Sequence, residues 1–280
     1  MPETLPYRTE IGYEYPVFDI VVSQAEQRRL HGHCDIAETV YGDYVDPTFV
    51  ARDPILLNTQ TVLANHPGRA PVHIVHRIEQ LRPIRLGETL QMHGRVSGIG
   101  DHSKGWILTT IWEYRDAAGE IVFVASPDVL MIDPERSGNG GKGGSGRMTD
   151  GEDAFEALTR KHCTPETMLG YCEGSTNKIH LDPKTAQSFG FRAPIIAGNQ
   201  TVNFLMEGVC RNGLTDQLSI EARLLRPVFW DDTIDVQGKP IQAGSSQMYV
   251  QSMRLAKSLP ICGFYPYAFM PIARKATWLC

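Results

Sequence analysis

The residues with the most chemical reach lie in one stretch, Tyr171–Thr201, which reads YCEGSTNKIHLDPKTAQSFGFRAPIIAGNQT. His180 carries an imidazole, the side chain whose ordinary pKa lets it take and return a proton near neutral pH. Ser175 and Asn177 precede it and can donate and accept hydrogen bonds without holding charge. Gly198 opens an apolar stretch, Gly198–Arg211, that suits a helix. A helix N-terminus presents unpaired N–H groups to a developing negative charge. Proton transfer beside such a terminus is the chemistry these types could do. Each also has a plainer reading. His180 can cap or pack, Asn177 can close an Asx-turn, and Ser175 can fill a loop. Asp182-Pro183 is a helix start, with Asp as cap and Pro at the first position.

Other candidates carry less. His31, His33 and Cys34 form H-G-H-C, a spacing that fits no common zinc pattern, and no second pair matches it. His73 and His76 fall on an expected strand and are read as facing solvent or a neighbouring chain. Arg82-Pro83 and Arg226-Pro227 recur as the start of a strand; an Arg there would also suit a phosphate. Asp43 and Asp46 in YGDYVDP (Tyr41–Pro47) partly echo the His180 loop, but no His follows in register. The aromatic run Phe264–Met270 reads as a core strand or as one wall of an apolar pocket.

These residues must be positioned by folded elements, and the chain shows two sets. Ser137–Arg147 reads SGNGGKGGSGR and has no apolar residue, so it cannot offset its own ordering entropy. It divides the chain into residues 1–136 and 148–280, with 137–147 as linker. The halves repeat each other. RDPILLNTQTV at Arg52–Val62 matches RAPIIAGNQTV at Arg192–Val202, and LRPIRLGETLQMHGRV at Leu81–Val96 aligns with LRPVFWDDTIDVQGKP at Leu225–Pro240. Two matches in the same order at nearly one offset indicate an internal duplication. Each half reads as one long helix, Ile55–Asn65 or Gly198–Arg211, followed by four β-branched alternating strands. The strands are expected at Val72–Leu81, Thr89–Ser97, Trp106–Tyr114 and Glu120–Ile132. In the second half they are expected at Leu218–Leu225, Thr233–Gly238, Gln247–Leu255 and Ile261–Met270. A helix wrapped by an antiparallel sheet is an α+β layout, here a tandem (double) hot-dog fold. Sheet edges left unpaired favour an intimate pseudo-dimer or a homodimer.

The Tyr171–Thr201 segment resembles the MaoC-like family of (R)-specific enoyl-thioester hydratases and dehydratases. That family carries S-G-D-x-N-P-I-H, then H-x-D-P-x-x-A, then G-F-x-x-P-I-A-H-G-M-x-T. Here Asn177, Ile179, His180, Asp182, Pro183 and Ala186 fall in register, as do Gly190, Phe191, Pro194, Ile195, Gly198 and Thr201. The resemblance implies water added or removed across C2–C3 of an acyl thioester of CoA or an acyl carrier protein. It implies His180 as proton shuttle, Asn177 as a positioner and the Gly198 N–H as oxyanion donor. Phe191, Pro194, Ile195, Asn199 and Gln200 would line the substrate site. It also implies a degenerate, pocket-shaping first half. No cofactor and no metal are expected. The departures from the family matter as much as the matches, and they include Asn199 and Gln200, more polar than is usual there. Ser175 stands where the family has its catalytic Asp, and Ala197 stands where it has a His. His180 acting alone, a carboxylate from Glu173 or Asp43, or a chemistry needing one base therefore all stay open. The last would be an isomerase, a cyclase, or a non-catalytic acyl-binding subunit.

Composition excludes other classes. The net charge is −5, with Lys and Arg dispersed, which argues against a nucleic-acid surface. No run of about 18 apolar residues offers a membrane span, and the N-terminus has no secretory pattern. The six cysteines are scattered without a CxxC, so free thiols and a reduced, cytoplasmic setting are expected.

Overall fold

The computed structural model describes residues 7–137, 156–211, 216–238, 247–254 and 266–273. In chain order the elements are β1 (Phe18–Val21), α1 (Gln24–Cys34), α2 (Pro47–Val50), α3 (Arg52–Asn65) and β2 (Ala70–Gln80). Then come β3 (Thr89–His102), β4 (Gly105–Arg115), β5 (Ile121–Ile132) and α4 (Pro134–Ser137). The second half holds β6 (Glu156–His162), α5 (Pro165–Tyr171), α6 (Pro183–Ser188), α7 (Gly198–Cys210) and β7 (Leu218–Leu224). It ends with β8 (Thr233–Gly238), β9 (Gln247–Arg254) and β10 (Pro266–Ala273). Both expected long helices form. Seven of the eight expected strands form within two residues of their expected starts. The eighth is described over Pro266–Ala273 where Ile261–Met270 was expected, and residues 261–265 lie outside the described residues. The proposed linker from 138 onward and Phe264 lie outside the described residues.

The strands form one 10-stranded sheet in the order β1-β3-β4-β5-β2-β7-β10-β9-β8-β6. Read inward from either end, the two halves show the same permutation of their own strands. They meet where β2 pairs antiparallel with its counterpart β7, at Ile78↔Ile220. That join removes one exposed edge from each half and makes the double hot-dog a pseudo-dimer within one chain. The sequence reading missed β1 and β6, the two outermost strands. Both are short (FDIV and EALTRKH), as edge strands often are.

The two long helices differ in character. Every residue of α7 from Asn199 to Cys210 is buried, as an enclosed helix requires. Helix α3 buries only part of its length, and its buried polar groups are paired: Asn58 Nδ2 donates to Thr110 Oγ1 at 2.8 Å, and Tyr15 OH lies 3.2 Å from Thr61 Oγ1. Close packing decides one glycine: a Cβ on Gly94 would lie 2.1 Å from the Trp112 ring. Between the halves runs a buried polar network. Asp46 accepts from Thr48 Oγ1 at 2.6 Å, meets His31 Nε2 at 3.2 Å and accepts from Asn203 Nδ2 at 3.2 Å. Tyr171 OH donates to Asn203 Oδ1 at 2.6 Å. Lys161 pairs with Glu207 at 2.8 Å, both buried, and also donates to the Asp35 carbonyl.

Candidate active site

The His180 loop is tied at both ends. Before it, Thr164 and Thr167 close a capping box on α5. After it, Asp182 caps α6, accepting from Thr185 N at 2.8 Å and Thr185 Oγ1 at 2.6 Å. Those bonds hold the Asp182 carboxyl below the usual range, so its role is the structural one. Between them Ser175 N donates to Cys172 O at 2.9 Å, and Ser175 Oγ accepts from Asn177 N at 3.2 Å. Ile179, buried against Ala70, Leu130, Ile132, Ile195 and Phe229, anchors the single 3-10 turn Lys178–His180.

That turn fixes the imidazole. His180 Nδ1 lies 2.8 Å from the Ile195 carbonyl oxygen. A carbonyl only accepts, so Nδ1 carries the proton and Nε2 keeps its lone pair. Asn177 Nδ2 donates to the Pro71 carbonyl at 2.9 Å and lies 3.3 Å from His180 Nε2. The amide therefore orients the base and ties the loop to β2 of the first half. Burial pushes the His180 pKa down, partly offset by the Ile195 bond. The ring is thus neutral, and ready to accept a proton, at neutral pH.

Ser175, Asn177 and His180 all face one cavity of about 210 Å³. Both halves wall it: Ile55, Leu56 and Thr59 from α3, Pro71–Ile74 from β2, and Ile195–Asn199 leading into α7. Gly198 is the first residue of α7, where the N–H has no partner within the helix. Its missing side chain is a packing requirement, because a Cβ there would lie 2.8 Å from His73 Cβ and 2.7 Å from Leu224 Cδ1. Arg52, Lys104 and Arg226 also line the cavity, and none of the described lining residues is Asp or Glu.

The remaining expected site residues divide. Phe191, Ile195 and Asn199 line the cavity. Pro194 and Gln200 do not. The Pro194 carbonyl accepts from Trp230 N at 3.1 Å, and Gln200 turns away to donate to His33 O at 3.1 Å. Neither carboxylate considered as a substitute for the missing Asp reaches His180. Glu173 is exposed and paired with Arg29 at 3.1 Å, and Asp43 borders a separate hollow beside Tyr44 and Arg85. In the first half the corresponding 3-10 turn is Glu38–Val40, which ends in Val40 where the second half has His180. The reading of His73 and His76 as surface residues is corrected: both are buried, at 8% and 0% exposure, and His73 lines the cavity. The cause is a bulge in β2, which alternation alone does not disclose. Among the described residues no group of three or more His, Cys, Asp or Glu is placed to hold a metal. No described helix is long and apolar enough to cross a membrane. Cys34, Cys163, Cys172 and Cys210 are buried, and none of them is joined in a disulfide among the described residues.

Residues 150–252 match the MaoC like domain family. Among curated proteins none matches this chain in sequence. In three dimensions the chain is similar to HtdX of Mycobacterium tuberculosis, with a TM-score of 0.71 at 15% identity, covering 92% of this chain and 99% of that one. It is similar to a MaoC-like dehydratase of Phytophthora capsici, with a TM-score of 0.66 at 18% identity, covering 95% and 97%. A conserved hypothetical protein of Mycobacterium tuberculosis with a double hotdog fold gives a TM-score of 0.58 at 14% identity, covering 94% and 96%. The chain thus carries a MaoC-like domain in its second half, on a double hot-dog fold.

Proposed function

We propose that this MaoC-like double hot-dog chain hydrates enoyl thioesters or dehydrates 3-hydroxyacyl thioesters, with His180 as the proton shuttle. The carrying observation is the His180 tautomer: Nδ1–H is spent on the Ile195 carbonyl, and a basic Nε2 lies in an apolar cavity. In the hydration direction the water oxygen bonds to C3, and Nε2 takes one water proton and returns it to C2 on the same face. The thioester oxygen gains enolate character meanwhile, and the Gly198 N–H at the start of α7 supports a donor role there. Asn177 holds the base in place. Ser175 serves the loop turn and does not replace the missing carboxylate. Arg52, Lys104 and Arg226 on the cavity wall suit the phosphates of CoA or of an acyl carrier protein. On this reading the chain works in the cytoplasm with its thiols reduced, and it pairs further as a homodimer.

The test is the rate on crotonyl-type thioesters. His180→Ala should lower turnover by about 10² or more, the usual size of an acid–base contribution. Ser175→Ala should cost much less. A His180→Ala variant with near-normal turnover would overturn the assignment. A second reading, a cyclase or isomerase using one base, is favoured by the lack of any Asp or Glu among the described lining residues. Product analysis separates the two, since only the first adds or removes water.

A further inference from the structure

We propose that His73, on β2 of the first half, is a second catalytic residue: its Nδ1 accepts a hydrogen bond from the water that adds to C3, or from the C3 hydroxyl in the reverse direction. The inference rests on the hydratase reading above.

The backbone aims this residue. Strand β2 keeps step with β5 up to His73↔Val129, then resumes at Val75↔Asp128, leaving Ile74 as an extra residue. Such a bulge flips the phase of a strand and re-aims side chains. Pro71 and His73 are buried before it; His76, Ile78 and Gln80 are buried after it. His73 and His76 therefore share one face, their ring centroids 4.9 Å apart at 74°. A regular strand would have put them on opposite faces.

The hydrogen bonds then fix which atom is available. His73 Nε2 lies 3.1 Å from the Val75 carbonyl oxygen, which only accepts, so Nε2 carries the proton. Nδ1 is left with a lone pair, is buried and has no partner within the protein. A buried acceptor left unpaired is costly, and its natural complement is a donor on a ligand. The side chain packs on the opening of α7, with Nδ1 2.8 Å from where a Gly198 Cβ would stand. Burial and that positive helix end both oppose protonation, and burial brings its pKa down to about 4. A neutral lone pair cannot hold an oxyanion, so His73 does not share the work of the Gly198 N–H. It takes a hydrogen-bond donor instead. An enoyl thioester has no donor near C1–C3, whereas the attacking water and the product hydroxyl each have one.

His73 and His180 line the same cavity. The Pro71 carbonyl, on the same strand and two residues earlier, accepts from the Asn177 amide that orients His180 Nε2. Two residues along a strand span roughly 6–7 Å. The proton balance is complete without a second base. The water bonds to C3, one of its protons passes through His180 to C2, and the other remains on oxygen, pointing at His73 Nδ1. His73 thus supplies a second acceptor that Ser175, with its hydroxyl given to the loop turn, does not.

The test uses three variants of the full chain with crotonyl-CoA and 3-hydroxybutyryl-CoA. His73→Asn sets an amide oxygen near Nδ1. His73→Gln reaches the Nε2 position and its bond to Val75 but leaves nothing at Nδ1. His73→Phe removes both. The expected result is kcat within about 10-fold of wild type for His73→Asn, and a loss of about 10² in kcat, with KM little changed, for the other two. Unfolding midpoints are measured alongside, and if His73→Phe does not fold, the Asn and Gln pair decides. Wild-type rates for His73→Gln with a slow His73→Asn would mean that Nε2 matters for structure, and would overturn the proposal. So would three variants at wild-type rate. If the wild type is active, His180→Ala is dead and the His73 series is flat, only this inference fails. If the wild type turns over neither thioester, the hydratase reading falls and takes this one with it.

Discussion

Acid should destabilise this protein through His73, by an amount that can be worked out. An imidazole in the unfolded chain titrates near 6.5, and burial brings His73 in the folded protein down to about 4. Between those values the unfolded chain binds a proton that the folded protein refuses. The stability contributed by the neutral ring is therefore full above pH 6.5 and is lost as pH falls toward 4. A shift from 6.5 to about 4, at about 1.36 kcal/mol per unit, amounts to about 3 kcal/mol. Of this, about 2.5 kcal/mol falls between pH 7.5 and pH 4.5. His76 is pushed well down by burial, with help from a charge on His73, and His180 is lowered by burial. Wild type as a whole should therefore lose more, and the two neighbouring rings titrate as a pair. The assay is urea unfolding at pH 7.5 and 4.5 for wild type and His73→Asn, which keeps a polar side chain but no titrating ring. Wild type should lose about 2.5 kcal/mol more than the variant over that interval. Parallel losses, agreeing within about 0.5 kcal/mol, would mean that the ring is not desolvated, and the account of the cavity wall would fail.

Three other substitutions test different contacts. Gly198→Ala forces a Cβ to within 2.8 Å of His73 and should lower stability by about 1–3 kcal/mol, read by chemical denaturation, while cutting turnover. Asn177→Ala removes the bond to the Pro71 carbonyl that ties the His180 loop to β2, so kcat on crotonyl-CoA should fall with KM little changed; an unchanged kcat would count against the orienting role. Lys161→Met should strand Glu207 and cost about 3–5 kcal/mol, whereas Lys161→Met with Glu207→Leu should recover most of it, read as urea midpoints.

Much of this architecture can be read from the sequence because the duplication states it twice. The repeated blocks at Arg52–Val62 and Arg192–Val202 mark the two long helices, and alternation marks their sheets. The outermost strands β1 and β6 escape because edge strands have only one neighbour and need few apolar residues. The loop around His180 is legible as a motif, and Asp182-Pro183 is legible as a cap from local chemistry alone. His73 is not legible. Its burial depends on the extra residue at Ile74, and a bulge leaves the residue types unchanged while reversing their facing. Gln200 misleads for a related reason: its place in the motif puts it near the cavity, but the helix turns its amide toward the His33 carbonyl.

Fusing two hot dogs in one chain frees the copies to differ, and the differences follow from what each must do. Helix α7 opens beside the cavity, so it keeps its N-terminal glycine and is buried along its length. The first half ends its matching turn in Val40 and carries polar Asn58, Thr59 and Thr61 inside its helix. It has no imidazole at that turn, yet it holds the loop that has one. The Pro71 carbonyl takes the Asn177 amide that orients His180, and His73 packs against Gly198 where α7 begins. Both contacts come from β2, the strand that also pairs with β7 to join the halves. Slippage at that seam would swing Pro71 and His73 together, so the same hydrogen-bonded ladder that holds the pseudo-dimer sets the geometry around His180. The half without a histidine at this turn is therefore the frame against which the His180 loop is registered.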